Sequence, residues 1–141
     1  MKELRSEISI GASPRRVWQV LTDFPSYAEW NPLIRTIEGE VDRGAQLDVF
    51  LQPSGSKGAM IHPKVVKAEP EDELRLQTKR ALRMGATDYI FHIDSYGANR
   101  ARFIARVVSS GPFASLPVPA ADLQRGMEEM VEALQERVEA L

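Results

Sequence analysis

The chain has no cysteine among its 141 residues, so disulfides, thiolate metal sites and cysteine nucleophiles are excluded. Histidine is nearly as scarce: His62 and His92 are the only two, and they lack the spacing of a metal-binding pair. No apolar run approaches membrane-spanning length. The first residues, Met1-Lys2-Glu3-Leu4-Arg5-Ser6-Glu7, lack the apolar stretch of a secretory signal, so a soluble cytoplasmic protein is expected. A net charge of −2 gives no reason to expect nucleic acid as a partner. Also missing are a nucleophile elbow, a phosphate-cradling loop and a paired-carboxylate arrangement. No catalytic residue, metal ligand or cofactor is therefore assigned from motifs. Internal repeats and low-complexity segments are absent too.

What the chain does contain is one long amphipathic stretch and a series of short alternating ones. With 43% hydrophobic and 27% charged residues, it suits one globular domain over 1–141. Across 119–141 the apolar residues Leu123, Met127, Met130, Val131, Leu134, Val138 and Leu141 share one stripe at helical spacing. Pro117 and Pro119 push the residues before them towards extended backbone, so this helix is expected to begin near Pro119. A lone long helix must bury its stripe, and the only large candidate partner is a sheet.

The strands follow from period-two alternation. Leu4, Ile8 and Ile10 alternate with Arg5, Glu7 and Ser9 in a first strand. Ser13 followed by Pro14 is an N-cap with a first-turn proline, which predicts a helix over Pro14–Thr22. A second short turn runs from Pro25 through Tyr27 to Trp30, ended by Asn31-Pro32. Leu33, Ile37 and Val41 then form one strand face, and Leu47, Val49 and Leu51 the next. Residues 60–68 read as one irregular strand with Pro63 at an edge or bulge. Leu74, Leu76 and Thr78 follow, then Thr87, Tyr89, Phe91 and Ile93, then Phe103, Ala105 and Val107. Short joins make the sheet antiparallel.

Several of these residues stand in a familiar order: Ala12-Ser13-Pro14, Val17-Trp18, Leu21-Thr22-Asp23-Phe24, Tyr27, Trp30-Asn31-Pro32 and Ile37-Glu38-Gly39. The pattern resembles the START-like (SRPBCC) superfamily, and within it the bacterial polyketide cyclase/dehydrase-like branch. It continues through Arg43-Gly44, Pro63, Val65, Glu69-Pro70 and the terminal helix, so it covers the chain, although its specific motifs all precede Glu40. The resemblance implies the α+β helix-grip fold of birch-pollen-allergen-like proteins. There a curved antiparallel sheet, here of about six to seven strands, wraps a long C-terminal helix, with two short helices after the first strand. It also implies a hydrophobic ligand cavity between sheet and helix.

The inferred inner face supplies Leu47, Val49, Leu51, Leu76, Thr78, Tyr89, Phe91 and Phe103 from the strands, and Met127, Met130 and Leu134 from the helix. It is almost wholly apolar, with Thr78 and Tyr89 as polar handles. The residues alone favour a filled core; the resemblance implies a cavity, approached by Trp30 on the second short helix. Gly126, inside the long helix, costs about 1 kcal/mol relative to alanine. It marks either a close backbone approach, space for a ligand, or simple tolerance. Arg80, Leu82, Arg83 and Met84, with Phe113 and Leu116, could border the mouth as a lid, Arg80 or Arg83 meeting an anionic ligand end. The alternative is that these loop side chains simply fold onto the body.

Three functions are therefore weighed. Binding or carriage of a small hydrophobic ligand (a lipid, polyketide or aromatic compound) comes first. A cyclase or dehydratase acting on a polyketide-like substrate is second, because enzymatic relatives place polar residues inside the cavity and this chain offers few. An inward Arg102, Arg106 or His62 would favour it; alternation puts His92 outside and leaves His62 unassigned. Third is a protein-interaction or cochaperone-like role through the acidic face of the last helix. Ligand identity, pathway and oligomeric state are not legible in the sequence.

Overall fold

The computed structural model describes residues 2–112 and 115–141, with Arg83 described by its backbone alone. β1 (Lys2–Ile10) leads into α1 (Pro14–Thr22), whose bounds are those the sequence predicts. Ser13 Oγ accepts the Arg16 N–H at 3.2 Å and Pro14 occupies the first turn, where its missing N–H costs nothing. A 3-10 turn over Phe24–Ser26 joins α2 (Tyr27–Trp30). Asn31 then turns the chain: its Oδ1 accepts the N–H groups of Leu33 at 2.9 Å and Ile34 at 2.8 Å.

The remaining elements are β2 (Ile34–Glu38), β3 (Asp48–Leu51), β4 (Ala59–Ile61), β5 (Lys64–Glu69), β6 (Glu73–Lys79), β7 (Ala86–Ser95), β8 (Ala101–Ser110) and α3 (Ala120–Glu139). All strand pairs are antiparallel, in one sheet ordered β1-β8-β7-β6-β5 and another ordered β2-β3-β4. The fold is thus α+β, a curved antiparallel surface around a long C-terminal helix.

Two strand expectations need correction. Residues 60–68 are not one strand: β4 and β5 belong to different sheets. Pro63 has no N–H with which to continue a ladder, so the chain changes sheets there. Its carbonyl still accepts the Leu47 N–H at 2.9 Å, and a Gln46–Lys64 bridge keeps the sheets in touch. β2 spans only Ile34–Glu38, with Ile34 and Ile37 buried; Leu33 is buried just ahead of it and Val41 lies beyond it, so Leu33, Ile37 and Val41 are not one strand face. A register shift between Ile34 and Thr36 brings residues three apart onto one face.

The helix α3 lies along the free edge of β1. Gln124 and Gln135 donate their side-chain amides to the carbonyls of Arg5 and Ser9, both at 2.9 Å, and Glu139 accepts the Gly11 N–H at 2.8 Å. Edge-strand groups that would otherwise invite another strand are thereby satisfied. Gly126 marks a close approach: a Cβ there would lie 2.7 Å from Leu33 Cδ1 and 3.3 Å from Pro53 Cβ. Among the described residues no helix is long and apolar enough to cross a membrane.

Buried residues of the sheet and of α3 join in one hydrophobic core. Phe91 and Phe103 stack with centroids 6.1 Å apart, and Tyr27 donates its buried hydroxyl to the Leu21 carbonyl. On the opposite sheet face, buried Ile90 and Ile104 sit among charged neighbours. Arg102 pairs there with Glu7 at 2.7 Å and Arg106 with Glu3 at 3.0 Å.

Candidate ligand groove

β5 pairs with β6 from Glu69–Glu73 only as far as Lys64–Gln77. Beyond that point the chain has left for the other sheet, so Thr78 and Lys79 have a strand neighbour only on the β7 side. A groove of about 580 Å³ opens at this free edge. It touches inner-face Thr78, Thr87 and Tyr89, wraps round to Lys64, Gln77 and Lys79, and is walled by Met60, Ile61 and the segment 115–117. Thr87 and Tyr89 form its buried floor.

The floor ends in a row of hydroxyls. Register places Thr78 opposite Thr87, and Thr87 opposite Ser109. The next rung inward is Leu76, Tyr89 and Val107, and the one after it Leu74, Phe91 and Ala105. Three neighbouring strands therefore change from apolar to hydroxyl-bearing at the same end. Thr87 Oγ1 lies 3.4 Å from both Ser109 Oγ and the Ser115 carbonyl, long contacts for hydroxyl groups. Burial alone pushes the Tyr89 phenol above its ordinary pKa, so it stays protonated and able to donate.

Lys64, Lys79 and Arg80 line the groove, and among the described residues no aspartate or glutamate does, although Asp48 stands just outside against His62. Arg80 Nη2 donates to Ser115 Oγ at 2.9 Å, tying the segment before α3 to the end of β6. His62 also borders the groove, with Nδ1 2.8 Å from Asp48 Oδ1 and both side chains more than half exposed. Among the described residues no group of three or more histidines and carboxylates is placed to hold a metal ion.

Of the predicted site residues, Thr78, Tyr89, Arg80 and Leu116 meet at this groove. Leu47, Val49, Leu51, Leu76, Phe91, Phe103, Met127, Met130 and Leu134 do not; they lie together in the core at 0–6% exposure. Phe103, Met130 and Leu134 are fully buried. Trp30 packs edge-on to Tyr27 at 5.2 Å, away from the groove lining. Leu82 is 89% exposed in a 3-10 turn over Ala81–Arg83, and Met84 is exposed beside it; neither lines the groove. Phe113 lies outside the described residues, as does the Arg83 side chain. Arg102 and Arg106 face outward into their ion pairs, and His92 Nε2 lies 2.7 Å from Asp94 on the same outer face. Sequence reasoning missed Thr87, Lys64 and Lys79. The available signal was the shared change to Thr or Ser at the matching ends of β6, β7 and β8.

An antiparallel sheet gripping a long terminal helix, with an open groove at one end, defines a helix-grip protein. The profile of the family described as polyketide cyclase / dehydrase and lipid transport matches residues 1–139, and the chain belongs to that family. No curated protein matches the sequence. Among solved structures, a START superfamily protein from Mycobacterium smegmatis is 18% identical with a TM-score of 0.72, covering 98% of this chain and 97% of its own. The Zhui aromatase/cyclase from a Streptomyces species is 14% identical, TM-score 0.72, covering 98% and 93%. Ginseng major latex-like protein 151 from Panax ginseng is 11% identical, TM-score 0.68, covering 96% of each chain. At these identities the likeness is one of fold.

Proposed function

We propose that the protein binds and carries a small, mainly apolar molecule of the lipid, polyketide or aromatic class in the groove at the free edge of β6. The observation that carries this is the groove itself: about 580 Å³, with a buried floor of Tyr89 and Thr87 and apolar walls from Met60, Ile61 and Leu116. Its size and its mixture of apolar wall with a few polar groups are those of small-molecule sites. A ligand seated instead between sheet and helix would have to displace Met130 and Leu134, which are fully packed. Thr78→Trp fills the groove without touching that core. Binding of the neutral dye N-phenyl-1-naphthylamine should be lost in this variant; unchanged binding contradicts the proposal.

A second function is favoured by one observation, the His62–Asp48 pair at the groove's rim. With Nδ1 donating to Asp48, Nε2 keeps its lone pair for a substrate proton, and Tyr89 can donate to a developing oxyanion. This is the acid–base equipment of a cyclase or dehydratase acting on a polyketide-like substrate. Turnover of such a substrate that survives both His62→Gln and Tyr89→Phe would remove it.

A further inference from the structure

We propose that the groove selects amphiphiles carrying an oxyanion, such as a carboxylate, sulfonate or phosphate, at one end of an apolar body. This rests on the groove being the ligand site. The chain has 20 acidic residues against 18 basic ones, yet among the described residues the groove is lined by three cations and no carboxylate. Elsewhere Arg5, Lys67, Arg75, Arg102, Arg106, Arg125 and Arg137 lie within ion-pair distance of an acid, whereas among the described residues Lys2, Arg15, Arg16, Arg35, Arg43, Lys57 and Arg100 do not; what sets the groove apart is three such cations lining one concavity. Among the described residues Lys64, Lys79 and Arg80 have no such partner. Unpaired positive charge around a concavity with low-dielectric walls focuses a field that draws in an anion.

Of the hydroxyl row, Thr78 and Thr87 line the groove and supply the second half of the site, with Ser109 beside Thr87 but outside the lining. Thr87 and Ser109 are 3% and 5% exposed, and the contacts between them and to Ser115 are 3.4 Å long. Hydroxyls held so loosely can turn towards a stronger acceptor, and an ionised oxygen is the strongest available. Arg80 uses one Nη2 bond on Ser115 and keeps the rest of its planar fork for a bidentate oxyanion. Met60, Ile61 and Leu116 are left to hold the apolar body.

The test compares 1-anilinonaphthalene-8-sulfonate with N-phenyl-1-naphthylamine, the same ring system with and without the anion. At low ionic strength the anionic dye should bind at least about tenfold more tightly. In a Lys64→Gln, Lys79→Gln, Arg80→Gln variant with an unchanged circular dichroism spectrum, that ratio should fall towards one. The single variant Arg80→Gln, should the triple fail to fold, should move the ratio in the same direction. Decanoate and decyl phosphate should each displace the anionic dye, decanol should not, and the better of the two anions identifies the headgroup. Equal affinity of the two dyes, with both lost in Thr78→Trp, overturns the anion proposal and leaves the groove as the site. Dye binding untouched by Thr78→Trp overturns the groove and the anion proposal with it. Inorganic phosphate displacing the dye as well as decyl phosphate does would also overturn the proposal, because the apolar body would then play no part.

Discussion

The two ends of the inner sheet face are built from the same three strands and differ in what covers them. At one end Phe91, Ile93 and Phe103 pack with Met130, Leu134 and the α1 residues Val17 and Leu21 in the same core. At the other, β6, β7 and β8 finish in Thr78, Thr87 and Ser109 beneath an open groove. α3 meets the edge of β1 between Arg5, bonded by Gln124, and Gly11, bonded by Glu139. The rung Lys2, Ser109, Thr87 and Thr78 lies short of that span. Where the helix covers the sheet, the strands need apolar side chains; beyond its start they can carry hydroxyls. The apolar residues are thus concentrated at the covered end, and the open end is where the proposed ligand groove lies.

The contrast can be broken by mutation, and the covered end should respond most. Leu134→Ala removes a fully buried side chain and should cost about 3–4 kcal/mol in a denaturant titration. A loss below about 1 kcal/mol would mean that the centre is loosely packed. Gly126→Leu should cost about 2 kcal/mol, since even a Cβ at that position lies 2.7 Å from Leu33 Cδ1 with Pro53 behind it. A stability gain there would mean that helix propensity outweighs the close approach. At the open end, Thr87→Val exchanges a weakly bonded hydroxyl for a methyl and should alter stability by less than about 1 kcal/mol either way. A larger loss would make the hydroxyl row structural.

The smallest effect belongs to the outer face. Glu3 is held below the usual carboxylate pKa by its hydrogen bond from Arg106, and Glu7 by those from Arg5 and Arg102. A depressed folded-state pKa adds stability above the unfolded carboxylate value, and that stability is lost as pH falls through the folded value. Glu3→Gln should therefore flatten the acid limb of a melting-temperature profile slightly, and added salt should erase the difference. An unchanged acid limb would show that the pair contributes nothing.

Much of this architecture was legible because its signals are local. Ser13 and Pro14 set the start of α1, the stripe from Leu123 to Val138 set α3, and period two set the faces of β6, β7 and β8. Pro63 announced an irregularity, but that the chain changes sheets there depends on pairing with Gln46 and Leu47, which no local pattern encodes. The site was half legible for the same reason. Thr78 and Tyr89 stand out as polar residues on an apolar face. Thr87 and Ser109 become a row with Thr78 only once the hairpin registers are known. Met127, Met130 and Leu134 carry the same apolar signal whether they line a cavity or fill a core, and no local pattern separates the two.

The most direct test of a filled centre beside the proposed ligand groove uses the methionines as reporters. Met60 lines the groove, whereas Met127 and Met130 are buried under the helix. Carbon-13 methyl-methionine spectra, assigned by single substitutions, would be followed while decanoate is added. The Met60 resonance should move with saturation and those of Met127 and Met130 should stay in place. Saturable shifts at Met127 and Met130 with Met60 unmoved would put the ligand between sheet and helix and contradict a ligand site in the groove.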